Sequence, residues 1–131
     1  NARGILAAID QTNAFVEFDT GGHVLNANSL FLQAMGYQLD EVKGRHHRMF
    51  VDAAYAGSAA YADFWRDLAA GKSCKEVFKR VHKSGKAVWI SGVYAAVKDE
   101  MGRVVKIIKI ASDVTEQVLA TQMLEQAVQV R

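Results

Sequence analysis

The chain has 131 residues, 50% of them hydrophobic and 23% charged, which suits one domain with a single core and excludes a disordered segment. Sixteen Lys and Arg against fourteen Asp and Glu give a formal net charge of +2, and no basic stripe runs along the chain, so nucleic acid is not an implied partner. No run of about 18 apolar residues occurs, so no membrane contact is expected of this segment. The single Cys74 excludes a disulfide framework and a multi-cysteine metal site, and it fits a reducing, cytoplasmic compartment. The sequence starts at Asn1 with neither Met nor signal peptide, which leads us to expect a piece of a longer protein.

Residues 1–12 place Ile5, Leu6 and Ile9 on one helical face, a short flanking helix. Phe15 to Asp19 reads as a strand, Thr20-Gly21-Gly22 as a turn, and His23 to Ala27 as the returning strand. Asn28 and Ser29 cap a helix, LFLQAMGY, that Gly36 closes. Asp40-Glu41-Val42 is one helical turn ending at Gly44, and residues 45–58 read as irregular. AAYADFWRDLAA, about 59–70, is helix up to Gly71. Three strands follow, Cys74 to His82, Ala87 to Val97 and Val104 to Ala111, joined by turns at Lys83–Lys86 and Asp99–Gly102. The last stretch, 114–131, is rich in helix formers; Leu119, Met123, Ala127 and Val130 share a face that needs a partner, and Ser112 or Asp113 can cap its start.

The order predicts an α+β fold: a five-stranded antiparallel sheet with short helices on one face, flanked by N- and C-terminal helices. Metal-protease, phosphate-loop, nucleophile-elbow and dinucleotide-binding motifs are all missing from the sequence, so an enzyme is not expected.

The stretch FVEFDTGGHVLNANSLFLQAMGYQLDEVKGRHHRMF resembles the front half of a PAS domain. FKRVHKSGKAVWI resembles the hairpin of its back half, and DVTEQ resembles the D-[IV]-T-E motif that closes such domains. The match covers about residues 10–117 in the right order. A finer resemblance, carried by GRHHRMFVD, by Y-A-x-F-W and by the W-I hairpin, is to PAS domains of bacterial chemoreceptors (methyl-accepting chemotaxis proteins) of the aerotaxis and biofilm-dispersal type. The resemblance implies a division into a flanking helix (1–12), a PAS sensor (13–113) and a C-terminal signalling helix (114–131). It implies a sensor of redox state, oxygen or a small ligand, with FAD as first cofactor and haem b or none as alternatives. It further implies a homodimer through the flanking helices and an output domain downstream in the same chain. A cofactor-free dimerisation module is the alternative.

Under this resemblance several residues become candidates for the cofactor pocket. His46 and His47 are adjacent and point apart. Each reads as a flavin contact, as a haem ligand, or as a histidine satisfying loop backbone or facing solvent. GRHHRMF also resembles GRNCRFL of the light-sensing branch, with His47 at the reactive cysteine, so adduct photochemistry is not expected. No metal site is implied unless haem is bound. Trp65 and Phe64 read as core or as pocket wall, and Phe31 and Met35 as core that also lines the pocket floor. Asn26, at a strand end, is a pocket candidate, whereas Asn28 is a helix cap. Trp89 reads as packing on the sheet face or stacking on a ligand. Gly92, in mid-strand, marks close approach of a ligand or a helix. Where the aerotaxis type carries an Arg-His pair, this chain has Val51 and Asp52; Arg45, Arg48 or Lys79 remain to meet a phosphate. His23 and His82, beside turns, read as facing water. Asp113 and Thr115 read as the hinge between sheet and signalling helix.

Overall fold

The computed structural model describes residues 12–129. The expected helix carrying Ile5, Leu6 and Ile9 lies outside the described residues. So does Val130 of the C-terminal stripe. The elements, in chain order, are β1 (Ala14–Phe18), β2 (Val24–Ala27), α1 (Ser29–Met35), α2 (Leu39–Val42), a 3-10 turn (His47–Phe50), α3 (Ala53–Ala56), α4 (Ala59–Ala69), β3 (Cys74–Val81), β4 (Ala87–Lys98), β5 (Val104–Asp113) and α5 (Thr115–Gln129).

The strands form one antiparallel sheet in the order β2-β1-β5-β4-β3. The three hairpins are local pairings. The β1–β5 pairing closes the sheet between distant parts of the chain, with Val16 opposite Lys109 and Phe18 opposite Ile107. Side chains alternate across a strand, so each strand presents one row inward. The inner row is Val16 and Phe18 on β1, Ile107, Lys109 and Ala111 on β5, Val88, Ile90 and Tyr94 on β4, and Phe78 and Arg80 on β3. The short helices cover that face with Phe31, Met35, Val42, Tyr61, Trp65 and Leu68.

Residues 45–58 are more regular than their small-residue content predicts. Asp52 accepts hydrogen bonds from the Ala54 and Tyr55 amides and starts α3; Ser58 accepts from the Tyr61 amide and starts α4. His46 caps the 3-10 turn through a hydrogen bond that its Nδ1 accepts from the Arg48 amide. These caps satisfy orphan helix donors locally, so structure forms where hydrophobic periodicity is weak.

Gly92 has a different reason from the one its position suggested. A Cβ there would stand 2.9 Å from the Ala111 Cβ on the neighbouring strand. Neither a ligand nor a helix is what crowds it; the β4–β5 pairing is. Gly36 ends α1 with φ +80°, its amide donating to the Leu32 carbonyl, and the His82 ring stands where a Cβ would be. His82 is therefore half-buried against this turn rather than free in water, whereas His23 is exposed.

Gly36→Ala combines a left-handed backbone with a steric conflict at His82, and is expected to destabilise the fold by about 1–2 kcal/mol. Urea unfolding monitored by circular dichroism measures this as a lower midpoint at unchanged slope.

Candidate functional site

The 3-10 turn follows directly after His46 and directs the two histidines oppositely. His46 is half-buried and borders a shallow cleft of about 220 Å³ with Arg48, Tyr61 and Trp65. His47 has 0% exposure. Its Nδ1 lies 2.7 Å from the Tyr61 hydroxyl on α4, and its Nε2 lies 2.8 Å from the Tyr94 hydroxyl on β4. Rings of Phe18, Phe50, Phe64 and Trp65 surround it at centroid distances of 5.5, 5.9, 6.2 and 5.2 Å.

Donor counting sets the direction of these bonds. Arg80 on β3 donates from Nη2 to the Tyr94 oxygen at 3.2 Å. Tyr94 is fully buried, so its own hydrogen needs an acceptor, and His47 Nε2 is the one in reach. The ring hydrogen then sits on Nδ1 and donates to Tyr61. The result is a chain, Arg80 to Tyr94 to His47 to Tyr61, that ties β3, β4, the 3-10 turn and α4 together.

Burial holds the His47 ring well below the usual imidazole range, and the charges of Arg80, Lys109 and His46 push it the same way. The ring is neutral. Burial likewise raises the Tyr94 phenol and pushes the Tyr61 phenol up to about 12, so both stay protonated as the chain requires. Lys109, across the β4–β5 pairing from Tyr94, has 2% exposure, with Nζ 4.8 Å from the Tyr94 ring centroid. Burial, with the Arg80 charge, holds its ammonium well below the ordinary lysine range.

The other candidates divide by face. Phe31 and Met35 are buried in the inner core, with Phe31 edge-on to Phe50 at 5.1 Å. Phe64 and Trp65 stand beside His47. Asn26 is not in the pocket: it is exposed, and its Oδ1 accepts from the Ala27 amide. Trp89 is not in the pocket either. It alternates with Val88 and Ile90 and so faces the outer side of the sheet, with Lys79 Nζ 5.8 Å from its ring. Arg45, Arg48 and Lys79 are all exposed. Asp113 Oδ1 accepts from the amide and the hydroxyl of Thr115 at 2.9 and 2.6 Å, and Thr115 Oγ1 accepts from the Trp89 amide at 2.9 Å.

Tyr61, Tyr94, Arg80 and Lys109 were not among the sequence candidates. For the three strand residues the signal was the two-residue period: Arg80 shares a row with Phe78, Lys109 with Ile107 and Ala111, and Tyr94 with Val88 and Ile90.

The sheet, its one-sided helical cover and the polar centre between them define a sensory domain of the PAS class. The chain belongs to that family: the model of the PAS fold matches residues 24–111. It is 40% identical over 109 residues to the biofilm dispersion protein BdlA of Pseudomonas aeruginosa, covering 83% of this chain and 26% of that protein. It is 32% identical over 81 residues to the aerotaxis receptor of Escherichia coli, covering 62% of this chain and 16% of that protein. The chain thus spans about a quarter or less of the length of these relatives. Among solved structures it is similar to an RNA-binding light-oxygen-voltage receptor, with TM-score 0.77 and 27% identity over 97% of this chain and 37% of that one. A light-oxygen-voltage domain studied with a flavin analogue shares the fold at TM-score 0.71 and 24% identity, covering 98% and 96% of the two chains.

Tyr94→Phe leaves a buried Arg80 donor and the His47 Nε2 acceptor without their partner, and is expected to cost about 1–3 kcal/mol in denaturant unfolding. The His47 shift also fixes a pH dependence. The folded ring protonates below the unfolded value of about 6.5, so the unfolded chain binds the extra proton first. Stability from this group is complete above pH ~6.5 and falls as pH drops below it, by at most about 1.4 kcal/mol per pH unit. Unfolding curves between about pH 5 and 7 for His47→Gln should show that slope reduced.

Proposed function

We propose that this chain is the sensory module of a longer, cytoplasmic, chemoreceptor-like signalling protein, and that a change at its buried polar core is relayed to α5. The observation that carries this reading lies on one strand. β4 brings Tyr94 into the His47 network, and five residues earlier its Trp89 holds the start of α5. The Trp89 carbonyl accepts from the Val114 amide at 2.8 Å, and the Trp89 amide donates to Thr115. Moving Tyr94 therefore loads the strand that anchors the helix. A ligand or redox change shifts the helix only if its two states bind or pack differently at the core. The helix would feed an output domain of the same chain. The exposed Leu119, Met123, Leu124 and Val128 on α5 suit a homodimer through the flanking helices. No catalytic role is assigned.

Relatives that include an aerotaxis receptor and light-oxygen-voltage proteins support redox state or oxygen as input and FAD as the first cofactor to test. The packing itself does not fit FAD or haem. Aromatic rings fill the space around His47, and both its ring nitrogens are engaged, so haem ligation would break a tyrosine hydrogen bond. This filled interior favours a second reading, a cofactor-free interaction module. A visible absorbance spectrum of the purified protein, before and after adding FAD, separates the two: flavin bands support the first, and their absence after both steps supports the second.

The relay has its own test. Tyr94→Phe should speed hydrogen exchange at the Trp89 and Val114 amides, and Thr115→Val should remove that coupling while costing about 1 kcal/mol of stability. Unchanged exchange at Val114 in Tyr94→Phe would sink the relay.

A further inference from the structure

We propose that Arg80 forms a binding site for a small anion, a carboxylate or a phosphate, in the cleft between α3 and β3, with Lys109 as a second buried basic group behind it that is not itself in the cleft lining. The proposal deepens the sensory reading by naming the chemical class of its input.

Three basic side chains are buried among the described residues: His47, Arg80 and Lys109. His47 is satisfied by two tyrosines. The two cations are not satisfied by any acid. The ion pairs of the described residues all join other side chains, mostly on the surface. Arg80, with 4% exposure, donates to the Tyr94 hydroxyl and to the Lys79 carbonyl, each at 3.2 Å, and its buried Nε has no acceptor. Its guanidinium lies 4.6 Å from the Phe78 ring centroid. Lys109 Nζ lies 4.8 Å from the Tyr94 centroid and 5.9 Å from that of Phe78. Both groups thus lie against the Phe78 ring, and Arg80 reaches Tyr94 through its hydroxyl while Lys109 lies over its ring.

Aromatic faces offset part of the cost of burying a cation, but they supply no oxygen acceptor, and the buried Arg80 Nε has none among the described residues. Arg80 and Lys109 repel each other when both are charged, which adds to the cost of the charged state. Natural interiors tolerate such an arrangement where a missing partner completes it. The missing partner here carries negative charge and accepts several hydrogen bonds. A carboxylate or phosphate does both, and the planar guanidinium matches either with paired donors.

Access is also present. A cleft of about 480 Å³ is lined by Arg80, Phe78, Lys79, Tyr55 and Asp52. That volume lies within the usual range of small-molecule sites, about 300–1,000 Å³. Asp52 at its edge does not neutralise Arg80: its carboxylate accepts from the Ala54 and Tyr55 amides of its own helix and forms no ion pair among the described residues. Cation placement links the site to the exit of the domain. Lys109 pairs with Tyr94 across the sheet, and its strand ends at Asp113, the residue that holds Thr115.

Calorimetric titration of the chain with succinate, and separately with inorganic phosphate, at constant ionic strength set by chloride tests the site. The expected result is saturable binding of at least one of them, weakened about tenfold or more by Lys109→Met and by Arg80→Lys, the loss of roughly one charge-assisted hydrogen bond. Preference for one anion identifies which source the site serves. If Lys109→Met does not fold, Arg80→Lys, which keeps the charge and loses the fork, carries the comparison. No binding of either anion above the chloride control overturns the proposal, as does wild-type affinity in a folded variant. Binding that leaves hydrogen exchange at Val114 unchanged supports the site and overturns the relay, so the two readings fail separately.

Discussion

The imidazole of His47 sits in a dry interior with two nitrogens that must both find partners. An unpartnered buried nitrogen would cost about 1–3 kcal/mol, so the ring dictates the placement of whatever meets it. Tyr61 must come from α4 and Tyr94 from β4, at hydroxyl distances of 2.7 and 2.8 Å. Because Tyr94 also accepts from Arg80, the constraint reaches β3. Four separate segments are therefore registered against one ring. Apolar packing alone would tolerate small slips between them; directional hydrogen bonds do not.

The same centre is costly to maintain. Two cations are buried beside the network without a carboxylate, compensated only by ring faces and by the neutral oxygens that Arg80 reaches. A core of this size built for stability would carry apolar side chains at Arg80 and Lys109. Sites that depart from the stability optimum in this way belong to function rather than to folding. If the proposed anion binds, an incompletely satisfied core of this kind would change its packing as the ligand completes it.

The path from the core to the start of α5 is short because the sheet is antiparallel. β4 and β5 are the central long strands. Each carries a core polar residue on its inner row and meets the start of α5, β4 near its beginning at Trp89 and β5 at its end at Asp113, with Tyr94 on one and Lys109 on the other. The Asp113–Thr115–Trp89 hydrogen bonds fasten the helix to the sheet edge within its first turn. Beyond that turn α5 shares a cleft with Val77 and Ser91 of the sheet through Val118, Thr121 and Glu125, while Met123 and Leu124 remain 70% and 68% exposed. Under the proposed relay, a helix held at its start with an exposed apolar face would transmit a change in angle rather than a change in fold.

Much of this was legible in the residues. Alternation, turn glycines and helix caps determine the five strands, the short helices and the position of α5, because each depends on neighbours within a few positions. Asn28, Gly36 and Asp113 act as their local chemistry requires. The sequence also shows that His46 and His47 point apart. It could not assign their faces, nor exclude Asn26 and Trp89 from the pocket, since a strand's period gives two faces without saying which one the helices cover. That choice was made by the β1–β5 closure and the helical layer, which put Trp89 outside and Tyr94, Arg80 and Lys109 inside. Nor did local pattern reveal the bond from His47 to Tyr94, 47 residues away. Such a bond exists only when the chain is folded, because burial is what makes the partner obligatory.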